Sequence, residues 1–233
     1  MNIALILSGG IGTRLGSDIP KQYIKINNKM IISYCLKTFC ESERVDAVQI
    51  VADSRWHAEI KETMEQIDGI GKFIGFSAPG KTRQLSIYNG LCDIRKNVPD
   101  ENVFVIIHDA ARPLITNRFI DECFDNVLGH DGVIPVLPMK DTVYASTDGK
   151  VITSLLDRHQ IFAGQSPEVF ELNQYIKANE ALMPDKILSI NGSTEPAVLY
   201  GMDVARIPGD EANFKITTRE DIKRFEKIVG GNQ

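Results

Sequence analysis

Two cationic residues beside a glycine-rich turn near the start of the chain form a device for handling phosphate. The run reads Ser8-Gly9-Gly10-Ile11-Gly12-Thr13-Arg14-Leu15-Gly16, then Pro20-Lys21-Gln22-Tyr23. Gly9, Gly10 and Gly12 let the backbone turn sharply and bring N–H groups close to an anion. A helix starting near Thr13 would point its positive end at the same place. Arg14 and Lys21 add full charges to these partial ones. The glycines alone fit equally well a tight strand-to-helix turn with surface cations. The dinucleotide fingerprint is missed because Gly16 falls one place late, and the P-loop pattern is absent.

The elements that must position this turn follow from hydrophobic spacing. Residues 3–7 are a continuous apolar run, as a strand buried on both faces requires. Ile31, Ile32, Cys35, Leu36 and Phe39 recur at helical spacing over 30–41. A strand is expected over 45–52, then a helix capped by Ser54 and running to about Ile67. A short strand over 72–76 leads to Pro79-Gly80-Lys81-Thr82-Arg83-Gln84-Leu85-Ser86, which opens a helix to about Arg95. The strand over 103–107 ends in His108-Asp109, and a helix over 118–128 precedes a strand over 132–136. Further on, a helix is expected over 172–182, short strands over 204–207 and 213–216, and a final helix with Thr217-Thr218 as caps. Strands alternating with helices imply a mainly parallel sheet, and ligands bind such sheets beyond the carboxyl ends of the strands. The glycine turn, 79–86 and 108–113 should share that edge.

Residues 139–165 break this rhythm. A turn at Thr147-Asp148-Gly149-Lys150 separates two short apolar segments, which reads as a hairpin. An isolated hairpin is marginal in water. It packs either on its own domain or on another surface.

The chain has 233 residues, 43% hydrophobic and 24% charged, with a net charge of −5. That describes a globular protein, not a general nucleic-acid binder. No apolar run reaches membrane-spanning length, no secretory signal is evident, and the four cysteines lack C-x-x-C spacing. The expectation is a cytoplasmic protein with reduced thiols, no nucleic-acid partner and no membrane association.

G-G-x-G-T-R-L-G followed by P-K-Q resembles the nucleotidyltransferases that join a nucleotide to a sugar or polyol phosphate. Within them it is similar to the family of methylerythritol-phosphate and ribitol-phosphate cytidylyltransferases. Gly80 to Ser86, His108-Asp109-Ala110-Ala111-Arg112-Pro113, and Asn213-Phe214-Lys215-Ile216-Thr217 with Glu220-Asp221 carry the resemblance further, in the right order. It implies an α/β fold: one Rossmann-like three-layer domain over 1–233, with a mainly parallel sheet and a hairpin arm at about 139–165 that embraces a second subunit. It also implies transfer of CMP from CTP to a phosphate monoester with release of pyrophosphate, aided by Mg²⁺.

A phosphate nucleophile, with its second pKa near ~6, needs no general base. The obstacle is repulsion between anions, so catalysis should be positioning plus cationic stabilisation. Arg14, Lys21 and Lys215 are the expected catalytic cations. Ser8, Gly9, Gly10, Gly12, Gly80, Arg83 and Ser86 are the expected nucleotide contacts, with the Ser86 hydroxyl reading the base. Asp109, Arg112, Arg158 and Ser166 are the expected acceptor contacts, with Arg158 reaching across a dimer or else forming an exposed hairpin salt bridge. Asp109 is alternatively a Mg²⁺ ligand or a cap on the segment after it; His108 is expected to be structural.

Two departures bear on the acceptor. Gly9-Gly10 stands where the family commonly has Ala-Gly, and Asn191-Gly192-Ser193-Thr194-Glu195-Pro196-Ala197 stands where methylerythritol-type enzymes carry a T-D-D-A-like segment; Pro79, in place of the first glycine of the family's G-G-x-x-R-x-x-S, and Lys81, where an acidic residue is common, bear instead on the base contacts. The expected acceptor is therefore an alditol phosphate such as ribitol 5-phosphate, with methylerythritol phosphate as the alternative. A non-catalytic nucleotide-binding protein of the same fold is the rival of another class. A sugar-nucleotide glycosyltransferase is disfavoured because no D-x-D triplet occurs.

Overall fold

Alternate residues of the first strand feed two separate cores. Ala4 and Ile6 pack with one cluster, Ile3 and Leu5 with another, and all four are fully buried. This is the double-sided burial that the apolar run at 3–7 requires. The computed structural model describes residues 1–10, 19–99 and 102–231. In chain order its elements are β1 (Asn2–Leu7), β2 (Lys25–Ile26), β3 (Lys29–Met30), α1 (Ile31–Glu41), β4 (Ala47–Val51), α2 (His57–Gln66), β5 (Phe73–Ser77), α3 (Arg83–Asn97), β6 (Phe104–Asp109), α4 (Asn117–Asn126), β7 (Gly132–Pro138), β8 (Val143–Ala145), β9 (Ser154–Leu156), β10 (Phe162–Gly164), β11 (Glu168–Glu171), α5 (Leu172–Glu180), α6 (Glu195–Tyr200), β12 (Val204–Pro208) and α7 (Arg219–Gly230).

The central sheet runs β10-β7-β11-β6-β1-β4-β5, with β12 also on β7. The pairs β1–β4, β1–β6, β4–β5 and β7–β12 are parallel. β11 runs antiparallel between β6 and β7, and β10 is antiparallel to β7. The side chains of α1, α2 and α4 fill the core on one face, and those of α3, α5 and α6 fill it on the other. The result is the three-layer arrangement expected from the alternation of strands and helices. A smaller cluster of Ile26, Ile31, Ile216 and Phe225 fastens α7 to the start of α1.

Two local expectations are corrected. Asp53, not Ser54, accepts the capping hydrogen bond, from the Arg55 N–H, and a short 3-10 turn over Ser54–Trp56 precedes α2. The carboxylate, one residue earlier, is the stronger acceptor for that exposed donor. Residues 213–216 are not a strand. The Ile216 N–H donates to the Ala111 carbonyl at 2.8 Å, and the segment joins no ladder. The start of α3 falls at Arg83, where the Thr82 hydroxyl accepts from the Leu85 N–H.

The hairpin forms as a separate two-stranded sheet, β8 with β9. It does not fold back on its own body: Tyr144, Val151, Ile152 and Leu155 are 55%, 62%, 61% and 66% exposed. Among the described residues no helix is long and apolar enough to cross a membrane. Cys35, Cys40, Cys92 and Cys123 are all free thiols.

Candidate active site

The carboxyl ends of β1, β4 and β6 stand in register, with Leu7 beside Val51 on one side and Asp109 on the other. Every expected site segment that is described meets this edge, except the arm. Beyond β1, the turn after Pro20 clamps the beginning of the glycine run. Gln22 Nε2 donates to the Ser8 carbonyl at 2.7 Å and to the Gly10 carbonyl at 2.8 Å. Ser8 Oγ donates to the Tyr23 hydroxyl at 2.8 Å, which donates back to the Ser8 carbonyl at 2.9 Å. Lys21 begins this turn, and the buried Gln22 and Tyr23 that follow hold it beside Gly10. Tyr23 in turn stacks on Trp56 with ring centroids 4.2 Å apart. Gly12 and Arg14 lie outside the described residues.

Gly9 is required by a close approach. A Cβ at that position would sit 2.5 Å from Pro79 Cβ, so the two loops touch through backbone and ring alone. At Gly80 a Cβ would sit 2.4 Å from Leu85 Cβ. The Gly80 N–H donates to Ser86 Oγ at 3.0 Å, and Ser86 Oγ–H donates to the Thr82 carbonyl at 2.9 Å. The Ser86 hydroxyl thus spends its proton on holding the turn before α3, so it can meet a base only as an acceptor.

Arg83 points the other way, into a charge cluster centred on Asp109. Its Nε and Nη2 donate to Asp109 Oδ1 at 3.2 and 3.1 Å. Lys215 Nζ donates to Oδ2 at 2.8 Å, and Arg112 Nε lies 3.8 Å from Oδ2. Burial alone would push the Asp109 carboxyl up. The Arg83 guanidinium, then Lys215 and Arg112, outweigh it and hold the group well below the usual carboxylate range. Ser166 is buried, and its hydroxyl accepts from the Asp109 N–H at 3.2 Å. Asn213 Nδ2 donates to the Ser166 carbonyl at 2.7 Å, and Arg112 Nη1 donates to the Asn213 carbonyl at 2.7 Å. These bonds replace the expected ladder at 213–216 and deliver Lys215 to Asp109.

Three cationic side chains here face two carboxylates, Asp109 and Glu168, with Arg83 Nη2 lying 4.0 Å from Glu168 Oε2. The cluster carries surplus positive charge, and Arg83 and Lys215 are each about one-third exposed. It is suited to receive a phosphate. It is not suited to hold a divalent cation. Both Asp109 oxygens are engaged by cations, and among the described residues no group of three His, Cys, Asp or Glu is placed to hold a metal ion. Asp109 as a Mg²⁺ ligand, the expected alternative, would set a metal ion against three fixed positive charges.

His108 is fully buried, its Nε2 donating to the Arg112 carbonyl at 2.9 Å. Burial lowers its pKa to about 4, so it is neutral and structural, as expected. Arg158 is exposed on the arm and donates to the Lys140 carbonyl at 3.1 Å, away from the cluster of its own chain. Two contributors stand outside the expected set. Gln22 was visible only as the third letter of P-K-Q. Glu168 gives no signal in sequence, since a lone Glu before an apolar pair reads as solvent-facing.

The sequence model described as "2-C-methyl-D-erythritol 4-phosphate cytidylyltransferase" matches residues 2–231. A relative from Vibrio parahaemolyticus named ribitol-5-phosphate cytidylyltransferase is 33% identical over 98% of this chain and 96% of its own length. One from Lachnospira eligens named 2-C-methyl-D-erythritol 4-phosphate cytidylyltransferase is also 33% identical, over 96% of each. The crystal structure of 4-diphosphocytidyl-2C-methyl-D-erythritol synthase from Anaerococcus prevotii superposes with a TM-score of 0.83 at 21% identity, covering 98% of this chain and 96% of that one, and so matches the fold. On the extent of these matches, the chain belongs to the 2-C-methyl-D-erythritol 4-phosphate cytidylyltransferase family.

Proposed function

We propose that this protein transfers CMP from CTP to an alditol phosphate such as ribitol 5-phosphate, giving a CDP-polyol and pyrophosphate. The observation that carries the reading is the cation-rich cluster at Asp109, reached by Arg83, Arg112 and Lys215 at the sheet edge where the glycine run also begins. An acceptor phosphate oxygen attacks the α-phosphorus of CTP. A P–O bond forms there, and the bond from the α-phosphorus to the bridging oxygen breaks, its electrons leaving with pyrophosphate. No side chain has to remove a proton, and the only histidine in the cluster is buried and neutral. Lys21 and Arg14 are assigned to the triphosphate and the leaving pyrophosphate. Lys215, with Asp109 holding its ammonium in place, is assigned to the α-phosphate. Asp109, Arg112 and Ser166 are assigned to the acceptor. Mg²⁺, expected to offset charge on the triphosphate, would take its ligands from phosphate oxygens and water.

A second copy of the chain is the partner assigned to the arm. Its support is the solvent-facing row of Tyr144, Val151, Ile152 and Leu155, an apolar surface that a lone hairpin in water does not retain without cover. In such a pair Arg158 would reach the other subunit's acceptor phosphate. The free thiols fit the cytoplasm.

The name of the matching family model favours methylerythritol phosphate as the alternative acceptor. One panel decides: CTP and Mg²⁺ with ribitol, glycerol, mannitol, arabinitol and methylerythritol phosphates, scored by product and pyrophosphate. Turnover with an alditol phosphate supports the reading, turnover with methylerythritol phosphate alone replaces its acceptor, and no turnover with any of them overturns it.

A further inference from the structure

Glu168 opens β11 opposite Ile107 of β6, two residues before Asp109, and no step of the proposed transfer uses it. Its side chain is only 8% exposed. Ser193 Oγ–H donates to its Oε2, Thr194 Oγ1–H donates to its Oε1 at 3.3 Å, and Arg83 Nη2 lies 4.0 Å away. The same Arg83 makes its nearer bonds to Asp109. Behind Ser193 the lattice continues. The Tyr175 hydroxyl donates to the Ser193 carbonyl, and Gln84 Nε2 donates to that hydroxyl at 3.0 Å and to Asn179 Oδ1 at 2.6 Å. Glu168, Ser193, Tyr175, Gln84 and Asn179 are all buried. One polar network therefore ties the start of α3, β11, α5 and residues 193–194 to the charge cluster.

The chemistry of this network has a direction. A carboxylate only accepts hydrogen bonds, and a hydroxyl has a single proton to give. With their protons committed to Glu168, Ser193 and Thr194 retain only lone pairs. Ser193 is 2% exposed and serves as the anchor, whereas Thr194 beside it is half-buried. Burial raises the Glu168 carboxyl above its ordinary value, while Arg83 and the two hydroxyls favour its charged form.

We propose that Glu168 is a specificity-determining positioning residue: by holding the Thr194 hydroxyl as an obligate acceptor on one carboxylate oxygen while its other oxygen faces Arg83 of the Asp109 cluster, it makes residues 193–194 a reader of hydroxyl groups along the carbon chain of the acceptor phosphate. The proposal deepens the CMP-to-alditol-phosphate reading and rests on it. A polyol offers a row of hydroxyl donors to such a reader, and an acceptor lacking the matched hydroxyl leaves the lone pairs unpaired.

The test is steady-state kinetics of the full chain at saturating CTP with ribitol phosphate and the shorter glycerol phosphate, for the wild type, Glu168→Gln and Thr194→Val. Gln keeps the shape but replaces one carboxylate oxygen with an amide donor, which reverses the polarity of one contact. Both variants are expected to raise the KM for ribitol phosphate about tenfold, the effect of losing one hydrogen bond to a charged or buried partner. The KM for CTP should stay within twofold, and the preference for ribitol over glycerol phosphate should fall by the same factor. An unchanged acceptor KM, or equal rises in both KM values, overturns the proposal. Thr194→Val, on a half-buried side chain, carries the test if Glu168→Gln does not fold. If the wild type instead turns over methylerythritol phosphate, the alditol reading falls, and the same variants measured on that acceptor, by the same split between the two KM values, still decide the role of Glu168.

Discussion

Lys215 Nζ lies 2.8 Å from Asp109 Oδ2 although 106 residues separate the two in sequence. The loop after β12 and the end of β6 thus share one ion pair, and Arg83 completes it from the start of α3. The pair sets the Lys215 ammonium in place before any substrate arrives, which is the preorganisation that cationic catalysis demands.

Removing that ammonium should be severe. Lys215→Ala and Lys21→Ala are each expected to lower kcat for pyrophosphate release by about 10²–10³. Circular dichroism and the unfolding midpoint should show a folded chain in both cases. Turnover near the wild-type rate in either variant would remove that lysine from the catalytic assignment.

Arg158 belongs to a different experiment, because its own chain leaves it on the arm. Arg158→Ala is expected to raise the acceptor KM at least tenfold, the cost of one charge-assisted contact of about 1.5–3 kcal/mol, and to leave the CTP KM nearly unchanged. Sedimentation of the same variant should still show a dimer. Equal effects on both substrates would remove the cross-subunit role.

Gly9 tests the contact between the two loops. Gly9→Ala would put its Cβ 2.5 Å from Pro79 Cβ, and a proline ring yields little. The expected outcome is a CTP KM raised several-fold with loss of about 1–3 kcal/mol in urea unfolding, the usual range for overpacking. A variant that binds CTP and unfolds as the wild type does would show that Pro79 moves freely.

His108 should make the chain acid-sensitive. Its folded pKa, about 4, lies below the ordinary value of 6.5, so the unfolded chain binds the proton more readily. The stability from keeping it neutral is complete above pH ~6.5 and is lost progressively as pH falls toward 4, by at most about 1.4 kcal/mol per pH unit. Asp109 acts with the same sign lower down: its depressed pKa contributes stability above the unfolded value near ~3.9 that is lost on further acidification. Urea midpoints between pH 7 and 4.5 for the wild type and His108→Gln check the first effect. The difference between the two chains should grow as pH rises, and a constant difference would count against it.

Much of the frame was legible because burial on both faces leaves an unbroken apolar run, as in β1, and amphipathic helices leave a period, as in α1. The hairpin was legible from its turn. Residues 213–216 read as a strand because Phe214 and Ile216 alternate with polar residues, yet Asn213 and Lys215 face fixed partners at the charge cluster rather than solvent. Period alone cannot tell those two environments apart. β11 went unread because α5 follows it directly, leaving no turn residues between strand and helix. Arg83 was expected at the nucleotide from its motif, and the structure directs it to Asp109 and Glu168, a pairing set by the sheet order and not by local spacing. Arg14, the other half of the opening signal, lies outside the described residues.

The stack of Tyr23 on Trp56 has a practical consequence. Trp56 is the sole tryptophan of the chain, and its ring lies against the turn that carries Lys21 and holds Ser8 and Gly10. Indole emission excited selectively near 295 nm therefore comes from a single place, next to where a triphosphate tail would settle. On the proposed assignment of Lys21 to the triphosphate, that emission would report nucleotide binding without dye or label.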